Sequence, residues 1–238
     1  MTAPRRIGIL GGMGPEATIL FQQKLIAAVQ TSGDCGHIPL IIDMNPQVPS
    51  RIDHLVHRRG KDPAPVITQM ARRLEKAGAK ALAMPCNTAH HYCDAITTSV
   101  SVPFLNMVEL SAQLAAESLG IDGCVGMLAS PAVRVTGLFD RMLERRGLRT
   151  LWPKDGPRML HAIQLIKAQG ACTEARAILR AASGELAWQG ARFQFIACSE
   201  FSLIADSICP DARAVDTLDV LVSATRDFSL STSKPEHA

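Results

Sequence analysis

Two eleven-residue segments, GAKALAMPCNT at 78–88 and GARFQFIACSE at 190–200, align without a gap. Each runs Gly-Ala, a basic residue, five residues of strand character and then a cysteine. A second pair of landmarks keeps the same phase. Gly8-Ile9-Leu10 is followed by Thr18 ten residues after its glycine, and Gly126-Met127-Leu128 by Thr136 ten after its own. Ordered self-similarity over half a chain marks a duplicated structural unit. Gly8 stands 78 residues before Cys86 and Gly126 stands 72 before Cys198, so each half delivers one cysteine from an equivalent position.

Hydrophobic patterning gives the unit its class. RRIGIL reads as a short buried strand, GGMG as a turn, and Pro15-Glu16 as the opening of a helix to about Val29, because Pro and an acid favour the first helical turn. HIPLIIDMN (37–45) reads as a second buried strand. Residues 46–65 are Pro-rich and read chiefly as a long connection with room for a short helix. A helix over 66–78 and a strand over 80–85 follow. In the second half, 123–130 reads as a strand, 135–147 as a helix, 158–191 as helical in two parts and 192–197 as a strand. Alternating strands and helices predict an α/β fold with parallel sheets. The expected division is a first domain of residues 1–106 with a last helix over 213–228, a second domain of 107–212, and a disordered tail over 229–238. Cys86 and Cys198 fall at carboxyl ends of strands, where open α/β sheets bind ligands.

Composition excludes several classes. A net charge of +3 in short basic clusters, with 4% aromatic residues, gives neither the basic face nor the stacking platform of a nucleic-acid binder. No apolar run approaches the ~20 residues of a membrane span, and the N-terminus lacks a signal-peptide pattern; a cytoplasmic protein is expected. The seven cysteines have no CxxC spacing, so neither a disulfide framework nor a zinc site is indicated. His90-His91 with one nearby cysteine lacks a second ligand pair, so no metal is assigned. The glycines at 8, 11, 12 and 14 do not give the G-x-G-x-x-G spacing of a dinucleotide site.

Cysteine is usually buried and inert, which is the reading for Cys35, Cys93, Cys124, Cys172 and Cys209. Cys86 and Cys198 differ because each precedes a polar pair, Asn87-Thr88 or Ser199-Glu200, at an expected helix start, where backbone N–H groups lower a thiol pKa. Two facing thiols suit inversion of a stereocentre: one takes a proton from carbon and the other returns one to the opposite face.

The motifs GILGGMGPEAT, NPQVPSR, PCNTAH and CSE, in this order, resemble the aspartate/glutamate racemase superfamily, in its aspartate racemase and broad-specificity amino-acid racemase branch. The resemblance covers residues 6–228. It implies two pseudo-symmetric flavodoxin-like domains, each a parallel sheet flanked by helices, with the active site in the cleft between them. It further implies Cys86 and Cys198 as the catalytic pair, no pyridoxal phosphate or other cofactor, a small amino-acid substrate, and a homodimer. By the same resemblance Met13, Asn87 and Thr88 line the substrate's head group. Arg51 and Lys167 fall where acidic-substrate members hold the side-chain carboxylate, which favours aspartate or glutamate. Ser130 belongs to the carboxylate cradle, and Glu200 is an auxiliary acid beside Cys198. Val133 stands where a threonine is common and Phe201 where the family loop differs, so both bear on substrate size. Maleate-type isomerisation by a nucleophilic cysteine and a non-catalytic amino-acid-binding protein are the alternatives.

Overall fold

A computed structural model describes residues 3–231. It contains two four-stranded, all-parallel sheets. The first comprises β1 (Ile7–Gly11), β2 (Leu40–Met44), β3 (Ala81–Ala83) and β4 (Phe104–Leu105), in the order β2-β1-β3-β4. The second comprises β5 (Cys124–Ala129), β6 (Arg149–Leu151), β7 (Phe193–Ala197) and β8 (Arg213–Asp216), in the equivalent order β6-β5-β7-β8. Around the first sheet run α1 (Pro15–Ala27), α2 (Arg51–Leu55), α3 (Ala64–Lys76) and α4 (Cys93–Thr97), followed by α5 (Met107–Leu119), which packs on the second sheet. Then come α6 (Pro131–Thr136), α7 (Leu138–Glu144), α8 (Gly156–Gln169), α9 (Thr173–Trp188), α10 (Ser199–Ser202) and α11 (Thr217–Leu230).

Both faces of each sheet are covered, as parallel sheets require. Successive strand residues point to opposite faces. Ile7 and Ile9 therefore meet Phe21 and Leu25 of α1, while Leu10 and Leu82 pack on Met70 and Leu74 of α3. In the second sheet Leu128 and Ile196 pack on α8 and α9, and Val125, Met127 and Phe195 on the other side with α5 and α7.

The repeated Gly-Ala has a packing cause. Gly78 and Gly190 end α3 and α9 with φ +95° and +96°, backbone that favours glycine. The amides after them, Ala79 and Ala191, return to the carbonyls of Leu74 and Leu186. Those leucines and alanines press on Gly8 and Gly126, where an added Cβ would lie 2.8 Å from Leu82 and 2.9 Å from Gln194, respectively. Each half thus uses the same glycine to bring a helix end close to its first strand.

Three details differ from the sequence reading. The helix expected over 135–147 begins earlier, at Pro131, and is broken at Gly137 (φ +61°) into α6 and α7. Residues 213–216, expected to open the last helix of the first domain, form β8 in the second sheet, paired with β7. Asp216 then caps α11 by accepting from the Leu218 amide at 2.9 Å. The helix itself packs Leu218, Leu221 and Val222 against Ile7 and Ile9 of the first sheet. Of the tail expected over 229–238, residues 229 and 230 belong to α11, which runs to Leu230, and Ser229 donates to the Arg5 carbonyl at 2.7 Å. Residues 232–238 lie outside the described residues.

Candidate active site

The carboxyl ends of the two sheets face each other across a cavity of about 60 Å³. Met13 enters from the turn after β1, Cys86 and Thr88 from the turn after β3, Ser130 from the end of β5, and Cys198 and Glu200 from the end of β7. Ser50, Arg51 and Ile52 come from the start of α2, and Ile163 and Lys167 from α8. Of the residues given a catalytic, binding or auxiliary role from sequence, all but Asn87 line the cavity.

The glycine turn after β1 is held by one hydroxyl. Thr18 Oγ1 accepts from the Gly12 amide and donates to the Gly14 carbonyl, each at 3.0 Å. Gly12 has φ +87°, and a Cβ there would fall 2.4 Å from the backbone carbon of Asn45, so no other residue fits. In the second half Thr136 donates to the Val133 carbonyl at 2.7 Å. Thr88 and Ser130 join the halves at the cavity wall, with their hydroxyls 3.2 Å apart. Ser130 also caps α6 through the Val133 amide.

His90 settles the question raised by the paired histidines. Its Nδ1 donates to the Cys86 carbonyl at 2.8 Å, and its Nε2 accepts the Met107 amide at 3.1 Å. That fixes the neutral tautomer. Burial pushes its pKa down to about 4, with the Cys86 carbonyl opposing. His90 is therefore a buttress of the Cys86 turn. Among the described residues no group of three or more His, Cys, Asp or Glu is placed to hold a metal ion.

Asn87 has a related bracing contact. Its Nδ2 donates to Thr217 Oγ1 at 3.0 Å, and Thr217 donates in turn to the Ile196 carbonyl at 3.0 Å. This chain of two bonds connects the residue after Cys86 to the strand that ends at Cys198. Asn87 Oδ1 is buried and has no partner.

The charges are unevenly arranged. Arg51 donates Nη1 to the Val48 and Pro49 carbonyls at 3.1 and 2.9 Å, and Nη2 to the Met13 carbonyl at 3.4 Å. Among the described residues no carboxylate lies within ion-pair distance of it, so its charge faces the cavity uncompensated. Lys167, expected as a second grip on substrate, lines the cavity and is paired with Glu200, Nζ to Oε1 at 3.2 Å. Burial lowers its pKa most, but Glu200 together with the two cysteines outweighs burial, and the net shift is upward. The other Glu200 oxygen, Oε2, accepts from the Cys198 thiol at 3.1 Å.

The expected lowering of the thiol pKa values is reversed. Cys86 precedes a five-residue 3-10 helix and Cys198 caps a four-residue α-helix, short elements that supply little dipole. Both thiols are buried, 6% exposed each. Burial pushes Cys198 well above the ordinary thiol range, and Glu200 adds to it. Burial also raises Cys86, with Arg51, the Ala89 amide and Lys167 opposing and Glu200 reinforcing. Both rest as thiols at neutral pH, Cys86 being the one beside an uncompensated cation.

Val133 and Phe201 do not shape the cavity. Both are fully buried, Val133 in the core under α5 and α7 and Phe201 in the core under α8 and α9. The sequence reading missed Ser50, Ile52 and Ile163 as wall residues. Ile163 stands four residues before Lys167 and shares its helix face. Ser50 is the cap of α2, accepting from the Asp53 amide at 3.1 Å, a Ser-x-x-Asp signal legible in the sequence.

Comparison with known proteins agrees with this layout. The broad-specificity amino-acid racemase RacX of Bacillus subtilis (strain 168) is 38% identical over 107 residues, 43% of this chain and 46% of that protein, so the match spans about half of the relative's length. Aspartate racemase from Picrophilus torridus superposes with a TM-score of 0.83 at 25% identity, covering 93% of this chain and 92% of that one. The fold is also shared with an aspartate racemase homologue from Pyrococcus horikoshii OT3 (TM-score 0.73, 20% identity, 95% and 100% of the two chains). Glutamate racemase from Francisella tularensis, solved with D-glutamate, gives a TM-score of 0.68 at 14% identity over 99% and 87%. The model of the family described as Asp/Glu/Hydantoin racemase matches residues 10–225, nearly the whole described fold and every residue of the cavity, and the chain belongs to that family.

Proposed function

We propose that the chain interconverts the enantiomers of an amino acid with a second carboxylate, aspartate or glutamate, by proton transfer between two thiols at the α-carbon. The observation that carries this is that Cys86 and Cys198 reach one small cavity from equivalent strand ends of two facing sheets. One cysteine, as thiolate, takes the α-proton, and the C–H electron pair passes into the carboxylate. The other thiol delivers its proton to the opposite face. The hydroxyls of Thr88 and Ser130 are donors for the carboxylate as it gains charge. Arg51 supplies an uncompensated guanidinium for an anionic substrate. The matches to an aspartate racemase and a broad-specificity racemase support the reaction class.

The test is incubation of L- and D-amino acids in D2O, with chiral chromatography and mass spectrometry. Deuterium should enter the α-position as the enantiomers equilibrate, which also separates this chemistry from cis–trans isomerisation by a nucleophilic cysteine. Cys86→Ala and Cys198→Ala should each abolish racemisation while circular dichroism is retained. Undiminished turnover by either variant rules out the two-thiol mechanism.

A further inference from the structure

Glu200 is held by two partners with opposite demands. Oε1 faces the Lys167 ammonium at 3.2 Å and Oε2 faces the Cys198 thiol at 3.1 Å. Glu200 also lies against the first half, since a Cβ on Gly14 would stand 3.8 Å from its Oε1. Lys167 lines the 60 Å³ cavity and two larger ones beside it, of about 250 and 350 Å³, the latter also walled by Gly12, Ser50 and Arg51. The lysine therefore stands where an anion entering past Arg51 meets the thiols, and it is already occupied by an internal carboxylate.

We propose that Lys167 exchanges Glu200 for the distal carboxylate of the substrate, and that this exchange makes Glu200 the acceptor of the Cys198 proton. The inference rests on the racemase reading and assigns substrate charge a role in the chemical step as well as in binding. A carboxylate that loses a cation 3 Å away holds a proton more firmly, and the loss falls harder on Glu200 than on the more distant thiol. The S–H bond of Cys198 breaks, an O–H bond forms at Oε2, and the negative charge passes to sulfur. The Cys198 thiolate then takes the α-proton while Cys86 gives its own to the opposite face. When product leaves, Lys167 returns to Glu200, whose proton passes through solvent to the Cys86 thiolate, and the starting protonation is restored. A neutral amino acid of the same size leaves the Lys167–Glu200 pair intact and Cys198 protonated. Substrate charge is thereby read in kcat.

The unaltered chain gives the first measurement: α-deuterium exchange into aspartate and into its near-isostere asparagine. Aspartate kcat should exceed asparagine kcat by roughly tenfold or more, the equivalent of one pH unit of proton affinity. Discrimination confined to KM overturns the proposal. Glu200→Gln gives the second. It frees Lys167 but cannot accept a proton, so aspartate KM should hold or fall, kcat should fall roughly tenfold or more, and the aspartate-to-asparagine kcat ratio should approach one. A raised KM with kcat preserved, or an unchanged ratio, overturns it. The third is site-resolved iodoacetamide labelling followed by mass spectrometry, which needs no turnover. Removing the carboxylate should move the Cys198 labelling midpoint about one unit to lower pH, and an unmoved midpoint overturns the proposal. Failure of any amino acid to take up α-deuterium would instead remove the racemase reading itself.

Discussion

His90 makes the stability of this protein depend on pH in a direction that can be worked out. Its pKa is about 4 in the fold against 6.5 as the ordinary value. Between those values the unfolded chain binds a proton that the folded chain does not, so stability is lost as pH falls from 6.5 to 4. At 1.36 kcal/mol per pH unit the loss is about 3 kcal/mol. Asp216 acts in the opposite sense. Burial raises it from 3.8 to about 6, with the Leu218 amide, Lys24 and Ser202 opposing, so the folded state binds the extra proton and gains about 3 kcal/mol as pH falls from 6 to 3.8. The two nearly cancel in the unaltered chain, whose stability from these groups should be almost flat over that range. His90→Gln exposes the effect. Near pH 7 it should be less stable by about 2 kcal/mol, from weakened bonds to the Cys86 carbonyl and Met107 amide and the lost ring contact with Phe104. Towards pH 4 the gap should close or invert, because the substituted chain has no imidazole to keep neutral. Urea titrations followed by circular dichroism at several pH values between 4 and 7 give the difference directly. A gap that stays constant across that range would refute the reasoning.

The glycine turn should be equally intolerant. Gly12→Ala forces a Cβ into Asn45 at a left-handed φ and should cost more than about 2 kcal/mol in denaturant titration. Thr18→Val removes both bonds that hold the turn and should cost ~1–3 kcal/mol while depressing turnover, because Met13 shifts with it. Arg51→Lys keeps the charge but loses the planar fork; KM for an acidic substrate should rise roughly tenfold with a smaller change in kcat, measured by initial rates.

The duplicated architecture was legible because it rests on local rules: central strands with continuous apolar runs, glycines at helix ends, and cysteines in equivalent phase. Three of the four edge strands, β4, β6 and β8, were not. β4 and β6 have two and three residues, too few for a periodicity, and β8 lies in a stretch whose apolar spacing also fits a helix. Its true signal was Asp216, a cap that places the helix start four residues later. Cys86 and Cys198 could be paired from sequence because the repeat pairs them. The Lys167–Glu200 bond could not, since it links a helix face to a strand end with no repeated counterpart. The thiol ionisation was misread because the sequence shows a helix start but not how short the helix is, nor how completely the sulfur is buried.

Thr217 gives the fold a further property. A two-base inversion tolerates little variation in the distance between donor and acceptor, and misplacement by about 1 Å can cost a hundredfold in rate. Two separately packed sheets joined only by loops would let that distance drift with every rocking motion. A single hydroxyl, accepting from Asn87 beside one thiol and donating to Ile196 beneath the other, works as the rivet of a pair of calipers. It sets one gauge between the jaws, with the Thr88–Ser130 contact beside it.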